Sequence, residues 1–302
     1  MRGHYWTIAP TLAHRVRPGR APASEPWSTT IDDPDLGPVT LRGQLRDLPG
    51  ADTCLVVIHG LGGSPDAFYC VRAARLAEAA GLSCLRLSLR GADRQGEDFY
   101  HAGLTADLEA AVASAALSRY RHIHVLGYSL GGHMALRYAL SPSDERVVAV
   151  GAISPPLDLD RGAVAIDRRG ASIYRRHVLA GLNEIYAEVA ARRPVPTPLQ
   201  QVRAARTIRE WDSLAVVPRH GFDDVEHYYA SMSVGPHLSE LALRARIVHS
   251  THDPMIPPWT YEDHIARTGA AVDVELLRSG GHVAFPERDE VELRMVAWML
   301  GE

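Results

Sequence analysis

The stretch HIHVLGYSLGGHMALRYAL, residues 122–140, runs an apolar segment, His122 to Leu126, into Gly127-Tyr128-Ser129-Leu130-Gly131 and then into an Ala- and Leu-rich segment of helical character. A serine between two glycines at such a joint has two readings. The turn needs small residues, or it holds Ser129 up as a nucleophile at the carboxyl end of a strand. The G-x-S-x-G pattern by itself is weak evidence, but its place between a strand and a helix is what a nucleophile elbow demands. The helix N-terminus adds free N–H groups and a positive dipole end, which suit a developing negative charge.

Working outward, TCLVVIHG (53–60), LSCLRLSLRG (82–91), RVVAVGAISPP (146–156), ARIVHS (245–250) and AVDVELLRSG (271–280) read as strands. The near-continuous apolar runs among them suit strands buried on both faces of a parallel sheet. Val39 to Leu45 adds an early strand. Helical patterns fill 66–80, 103–118 and 289–300, the first ended by Gly81 and the second carried by Leu104, Leu108 and Val112 at i, i+4 and i+8. This alternation predicts an α/β fold with a mostly parallel, doubly wound sheet. Residues 157–240 show helical periodicity with no convincing strand and read as a helical cap inserted before the penultimate strand. The expected organisation is an irregular N-terminal arm over 1–36, a core formed by 37–156 and 241–302, and the cap over 157–240.

Composition bounds the rest. The 302 residues are 46% hydrophobic with a net charge of −4, which suits one large globular domain and gives no signature of nucleic-acid binding. All 32 basic residues are arginine. The three cysteines, Cys54, Cys70 and Cys84, form no CxxC pair, which argues against a disulfide scaffold or a zinc site and fits a reducing, cytoplasmic setting. The N-terminus has no apolar h-region, and no run approaches the ~20 apolar residues of a spanning helix. Peripheral membrane contact and oligomeric state stay open.

Ser129 needs a base, and the base an orienting acid. Downstream, STHDPMIP puts Asp253 just past one strand and SGGHVAF puts His282 just past the last, both on the sheet edge where ligands bind in such folds. Ser129, Asp253 and His282 follow the chain order expected for this elbow. Asp253 competes with the neighbouring His252 and with Asp223-Asp224. HGLGGS (59–64) follows a strand and can aim main-chain amides at a tetrahedral intermediate, so the Leu61 and Leu130 amides are the expected oxyanion-hole donors. No Lys-Ser/Thr follows that glycine-rich turn, which rejects a P-loop. His59 reads as a loop anchor. HSTHD (249–253) lacks a metal-site spacing, so neither a metal nor a cofactor is called for.

The phrases HGLGGS, LRG, FYHAGLTADL, LGYSLGG, ISPPLDL, TIREWDSL, HGFDDVEHYYASMS, HDPMIP and GGHVAF occur in one order over roughly residues 36–300. In this the chain resembles an α/β-hydrolase subgroup, the YheT-like hydrolases and their EMB8-like and ABHD relatives. The resemblance implies the α/β-hydrolase fold and an esterase or lipase-like activity, and it matches Ser129, Asp253 and His282 to the triad. It assigns no role to Tyr100, His101, Tyr128, Asp224 or Tyr228, which on physical grounds either brace loops or line the pocket.

In the cap, residues 157–210 hold ten Arg against six acids, in scattered pairs that read as a solvated helical face rather than an anion site. Val178, Leu179, Leu182, Ile185 and Tyr186 recur at helical spacing and read as core packing rather than an acyl channel. The leading expectation is a serine hydrolase that cleaves a carboxylic ester, with a short- to medium-chain acyl or lipid-like group, through an acyl-enzyme. An acyltransferase with the same triad, or a ligand-binding protein on the same scaffold, are the alternatives. A serine at the elbow argues against epoxide hydrolysis and dehalogenation, which would use an aspartate there.

Overall fold

The computed structural model describes residues 2–286 and 289–301. Its strands are β1 (Glu25–Asp33), β2 (Gly37–Arg46), β3 (Thr53–Ile58), β4 (Ser83–Ser88), β5 (His122–Tyr128), β6 (Val147–Ile153), β7 (Arg244–Ser250) and β8 (Val272–Leu277). They form one eight-stranded sheet in the order β1-β2-β4-β3-β5-β6-β7-β8. β2 runs antiparallel to β4 and β1 antiparallel to β2, while every pairing from β4 across to β8 is parallel. This is the doubly wound α/β sheet that the sequence predicts. β3 and β4 are buried along their whole length, as continuous apolar runs require in a sheet covered on both faces.

Helix α1 (Arg2–Val16) precedes the sheet, and α2 (Phe68–Ala79), α3 (Ala106–Ala113) and α4 (Leu130–Leu140) connect its parallel strands. Between β6 and β7 lie α5 (Leu159–Asp167), α6 (Ser172–Ala190), α7 (Leu199–Arg203), α8 (Ile208–Leu214), α9 (Val216–His220) and α10 (Val225–Met232), with no strand among them. The short α11 (Glu262–Ile265) follows β7, and α12 (Glu290–Leu300) closes the described chain. One sheet face packs Leu55, Val57, Leu126 and Tyr128 against residues of α2 and α12. The other packs Val56, Ile58 and Val125 against α3, α4 and, further out, the helical insertion.

Residues 1–36 differ from the irregular arm expected there, because they supply both α1 and β1. Pro10 inside α1 hides that helix from a sequence reading, since proline removes an intrahelical hydrogen bond. β1 is missed because its partner is the hairpin neighbour β2. Asp33 Oδ1 accepts the Asp35 and Leu36 amides at 3.1 and 3.2 Å, and Gly37 takes a positive φ of 74°, which turns the chain back. Trp27 of β1 is buried against the sheet, whereas Tyr5 of α1 is 62% exposed and meets the Trp6 ring edge-on.

A buried ion cluster ties these parts together. The Arg90 guanidinium lies 2.7–2.9 Å from Asp33, Asp98 and Asp107, and Arg219 of α9 meets Asp98 at 2.8 Å and Asp33 at 3.2 Å. Burial alone would raise the Asp33 carboxyl, but the Arg90 hydrogen bond, the Asp35 amide and the two guanidinium charges bring it down to about 2. No helix among the described residues is long and apolar enough to cross a membrane.

Candidate active site

The site is assembled from loops at the carboxyl ends of β3, β5, β7 and β8. Its centre is Ser129, between β5 and α4, which holds φ 53° and ψ −121°. A non-glycine residue at positive φ is strained, and that strain turns the side chain outward from the joint. The Ser129 amide is fixed by the Ile153 carbonyl at 2.8 Å. The flanking glycines are a packing requirement. A Cβ at Gly127 would stand 2.1 Å from the Gly131 carbonyl oxygen, and one at Gly131 would stand 2.5 Å from that of Ile58. Backbone meets backbone at both positions, so no side-chain motion relieves the clash.

Ser129, Asp253 and His282 come together. Ser129 Oγ donates to His282 Nε2 at 2.8 Å, and His282 Nδ1 donates to Asp253 Oδ2 at 2.7 Å. The other Asp253 oxygen accepts the Met255 and Ile256 amides at 2.8 and 3.1 Å, which fixes the carboxylate at the end of β7. Asp253 and His282 are 3% and 5% exposed. The rival acids sit elsewhere. Asp224 is exposed and caps α10 by accepting the His227 amide at 2.7 Å, and Asp223 pairs with His227.

Two main-chain amides remain free beside the serine. Leu61 N–H and Leu130 N–H have no hydrogen-bond partner among the described residues, whereas the Gly62 amide, next to Leu61 in the loop, is taken by the Tyr100 hydroxyl at 2.7 Å. Tyr69 accepts the Gly60 amide at 3.1 Å. His59 donates from Nδ1 to the Gly60 carbonyl at 2.8 Å and accepts the Leu89 amide on Nε2 at 3.2 Å. Burial pushes its pKa down to about 4, so the ring is a neutral brace with both nitrogens occupied. The elements that could donate into this site are therefore held by tyrosine hydroxyls and one imidazole.

A cavity of about 640 Å³ opens over Ser129 and His282. Leu61, Leu130, Tyr100, His101 and Tyr228 line it, as do Met255 and Ile256. Tyr128 does not. Its side chain lies on the opposite sheet face against Tyr69, with its hydroxyl 3.4 Å from Glu292, which is paired with Arg72. Tyr228 both lines the cavity and braces a loop, accepting the Ala102 amide at 2.9 Å. The insertion supplies most of the remaining wall through Leu159, Ala163, Ile166, Val178, Leu182 and Trp211. Val178 and Leu182 were expected only as core, yet they face the cavity, while Leu179, Ile185 and Tyr186 are buried core residues as expected.

Two contributors have no sequence signal. Helix α1 lines the cavity with Thr7, Ile8, Thr11 and Leu12, and Thr7 Oγ1 accepts the His282 amide at 3.0 Å. The close passage of α1 explains Gly281, where a Cβ would stand 2.5 Å from the Thr7 backbone nitrogen. The second is Asp212 of α8, a carboxylate in the cavity wall.

The sequence profile described as the Alpha/beta hydrolase family matches residues 55–293. The chain is 31% identical over 245 residues to "Putative esterase YheT" of Escherichia coli (strain K12), covering 76% of this chain and 70% of that protein. It is 25% identical to an "Abhydrolase domain-containing protein" of Dictyostelium discoideum, covering 78% of this chain and 62% of the relative. Against further curated relatives it spans only 55–58% of their length. Among solved structures, the Pyrococcus furiosus esterase Pf2001 superposes with a TM-score of 0.60 at 18% identity, covering 92% of this chain and 91% of that one. That likeness is one of fold.

Proposed function

The chain belongs to the alpha/beta hydrolase family, a family of hydrolytic enzymes, and on that premise we propose that it is a serine esterase acting on a small carboxylic ester. The observation that carries the reading is the relay in which Ser129 Oγ meets His282 Nε2 at 2.8 Å and His282 Nδ1 meets Asp253 at 2.7 Å, on the wall of an apolar cavity.

In this mechanism His282 takes the Ser129 proton as the oxygen attacks the ester carbonyl. Asp253 holds the imidazole in the tautomer that keeps Nε2 free to accept, and it stabilises the imidazolium. The unoccupied Leu61 and Leu130 amides receive the developing oxyanion, and the Tyr100 bond to Gly62 keeps the Leu61 segment in register. The imidazolium then returns the proton to the departing alcohol, leaving an acyl-Ser129. Water, deprotonated by His282, attacks that acyl group and releases the acid, with the proton passing back to Ser129. No step calls for a metal or a redox cofactor.

The insertion over 157–240 acts as a cap that roofs the cavity and selects the acyl or alcohol group. Cys54, Cys70 and Cys84 are all free and buried, which suits a reducing compartment, and we assign the protein to the cytoplasm.

The test is a fluorophosphonate probe with peptide mapping of the adduct, together with hydrolysis of p-nitrophenyl esters of graded chain length. The expected result is an adduct on Ser129 and turnover in the wild type, with both abolished in Ser129→Ala and in His282→Ala. A folded wild-type protein that neither labels nor turns over any ester overturns the reading.

A further inference from the structure

The cavity wall mixes apolar side chains with polar ones, the charged groups Arg15, Asp66, Arg94 and Glu184 lie at its exposed or half-buried parts, and most of the buried polar groups already have partners. Trp211 donates its indole N–H to Asn183 Oδ1 at 3.2 Å, and Tyr100 and Tyr228 each accept a backbone amide. The exceptions among the buried groups are His101, whose Nδ1 accepts the Gly103 amide at 3.1 Å while Nε2 has no partner among the described residues, and Asp212, the one buried carboxylate in the wall. Asp212 is only 8% exposed, and Tyr229 donates its hydroxyl to Oδ2 at 2.6 Å, while Oδ1 has no partner among the described residues. Oδ1 is also not sealed inside the protein, because Asp212 borders the cavity and its oxygens are absent from the buried atoms that lack partners.

The nearest guanidinium does not neutralise it. Arg209 is engaged with Asp160 and Glu226 and lies over the Tyr229 ring, while Asp167 adds a second negative charge nearby. A structural partner for one tyrosine hydroxyl does not require a carboxylate, and leaving a carboxylate oxygen in an apolar wall costs free energy unless something donates to it. Convergent polar groups in an otherwise apolar cavity fix the orientation of a ligand.

Resting on the serine-esterase reading above, we propose that Asp212 is the specificity-determining anchor of this cavity, and that the ester cleaved at Ser129 carries a hydroxyl or amine donor that bonds Asp212 Oδ1. The donor is needed because Oδ1 is otherwise left bare when substrate displaces solvent from the cavity. Burial, aided by Asp167 and opposed by the Tyr229 hydrogen bond and Arg209, lifts the Asp212 pKa to about 7. Near neutral pH the carboxyl is thus present in both forms, and either accepts a hydrogen bond on an unprotonated oxygen. An esterase with a purely apolar cavity would favour the unsubstituted chain instead.

The experiment uses matched esters that differ only by a terminal hydroxyl or a terminal amine in place of a terminal methyl. The substituent is carried on the acyl chain in one set and on the alcohol in another, over short to medium chains. In the wild type one donor-bearing set should be preferred over its methyl partner by on the order of ten- to a hundredfold in kcat/KM. Asp212→Leu should erase or invert that ratio, and Asp212→Asn, which keeps an acceptor oxygen, should retain part of it. The ratio is read within one protein, so a loss of folded enzyme cancels. Tyr229→Phe, which removes the Oδ2 partner and leaves the carboxylate, should keep the preference. A preference for the hydroxyl set identifies an O–H donor and one for the amine set an N–H donor. No donor preference in the wild type, or an equal ratio in Asp212→Leu, overturns the proposal while ester turnover continues. Absence of any turnover or fluorophosphonate labelling would instead overturn the esterase reading beneath it.

Discussion

The floor and the roof of the cavity are built by opposite means. The floor is backbone. Gly127 and Gly131 let main chains approach to distances no side chain tolerates, Ser129 sits at a strained positive φ, and the loop after β3 is held by amides that donate to Tyr69 and Tyr100 and by a hydrogen bond from His59. The roof is side chain. Apolar residues from α5, α6 and α8 fill most of it, and one buried carboxylate, Asp212, interrupts them. A backbone-built floor fixes a reacting atom in one place, and a side-chain roof changes its shape with any substitution. On this contrast, changes below the substrate should alter the rate for all esters alike, and changes above it should alter which ester is preferred.

The largest expected effect tests the floor. Asp253→Asn keeps the shape of the site but removes the acceptor that sets the His282 tautomer, so kcat should fall on the order of 10³- to 10⁴-fold. Steady-state kinetics across the chain-length series should give the same factor for each ester. A factor that changes with chain length would break the division between the two walls.

Tyr100→Phe sharpens the comparison at the border, because Tyr100 lines the cavity yet braces the floor. The substitution leaves the Gly62 amide without its hydroxyl partner, and the loosened loop should lower kcat about tenfold, consistent with the loss of roughly one hydrogen bond, with KM little moved. A change in KM alone would assign Tyr100 to the roof.

The smallest effect is one of stability, and it has opposite signs in the two regions. Burial depresses His59 to about 4, below its ordinary value near 6.5, so its contribution is present above pH 6.5 and is lost as pH falls towards 4. Burial raises Asp212 from near 3.8 to about 7, so the native state holds a proton the unfolded chain has released. Its contribution is present below pH 4 and is lost as pH rises towards 7. Thermal midpoints of the wild type and Asp212→Asn, measured from pH 4 to 8, should therefore diverge as pH rises, with the variant gaining relative stability. Burial pushes the Tyr228 and Tyr229 hydroxyls well up, and a charge gained by Asp167, itself raised by burial, would act on Asp212 in the same direction, so these neighbours do not reverse the sign. Parallel profiles would remove the electrostatic distinction between floor and roof.

The same contrast explains what could be read before the structure. Floor residues are tied to strand ends and to glycines, so the alternation of apolar runs located Ser129, Asp253, His282 and HGLGGS, and the fold followed from the same alternation. The roof depends on which face of each helix turns inward, and Val178 and Leu182 differ from Leu179 and Ile185 only by that rotation. TIREWDSL gives Asp212 no role until Tyr229, distant in the chain, is seen against it. Thr7 was equally silent, since a proline-interrupted helix gives little periodicity and its contact with His282 spans 275 residues. Tyr128 and Asp224 stand beside motif residues in sequence, but strand alternation turns one to the far sheet face and helix capping uses the other.

The Arg90 cluster bears on how such a chain can be recombined. Its five charges come from separate stretches: Asp33 from the β1 hairpin, Arg90, Asp98 and Asp107 from the core, and Arg219 from the insertion. Exchanging the roof for that of a relative would also exchange Arg219, and a graft without an equivalent cation would strand Asp33 and Asp98 in a buried site with one guanidinium among three carboxylates. The insertion is therefore not an interchangeable cassette. Grafts that carry an arginine at the α9 position should yield folded chimeras, and the boundary at which this roof can be swapped is drawn by charge rather than by where its helices begin.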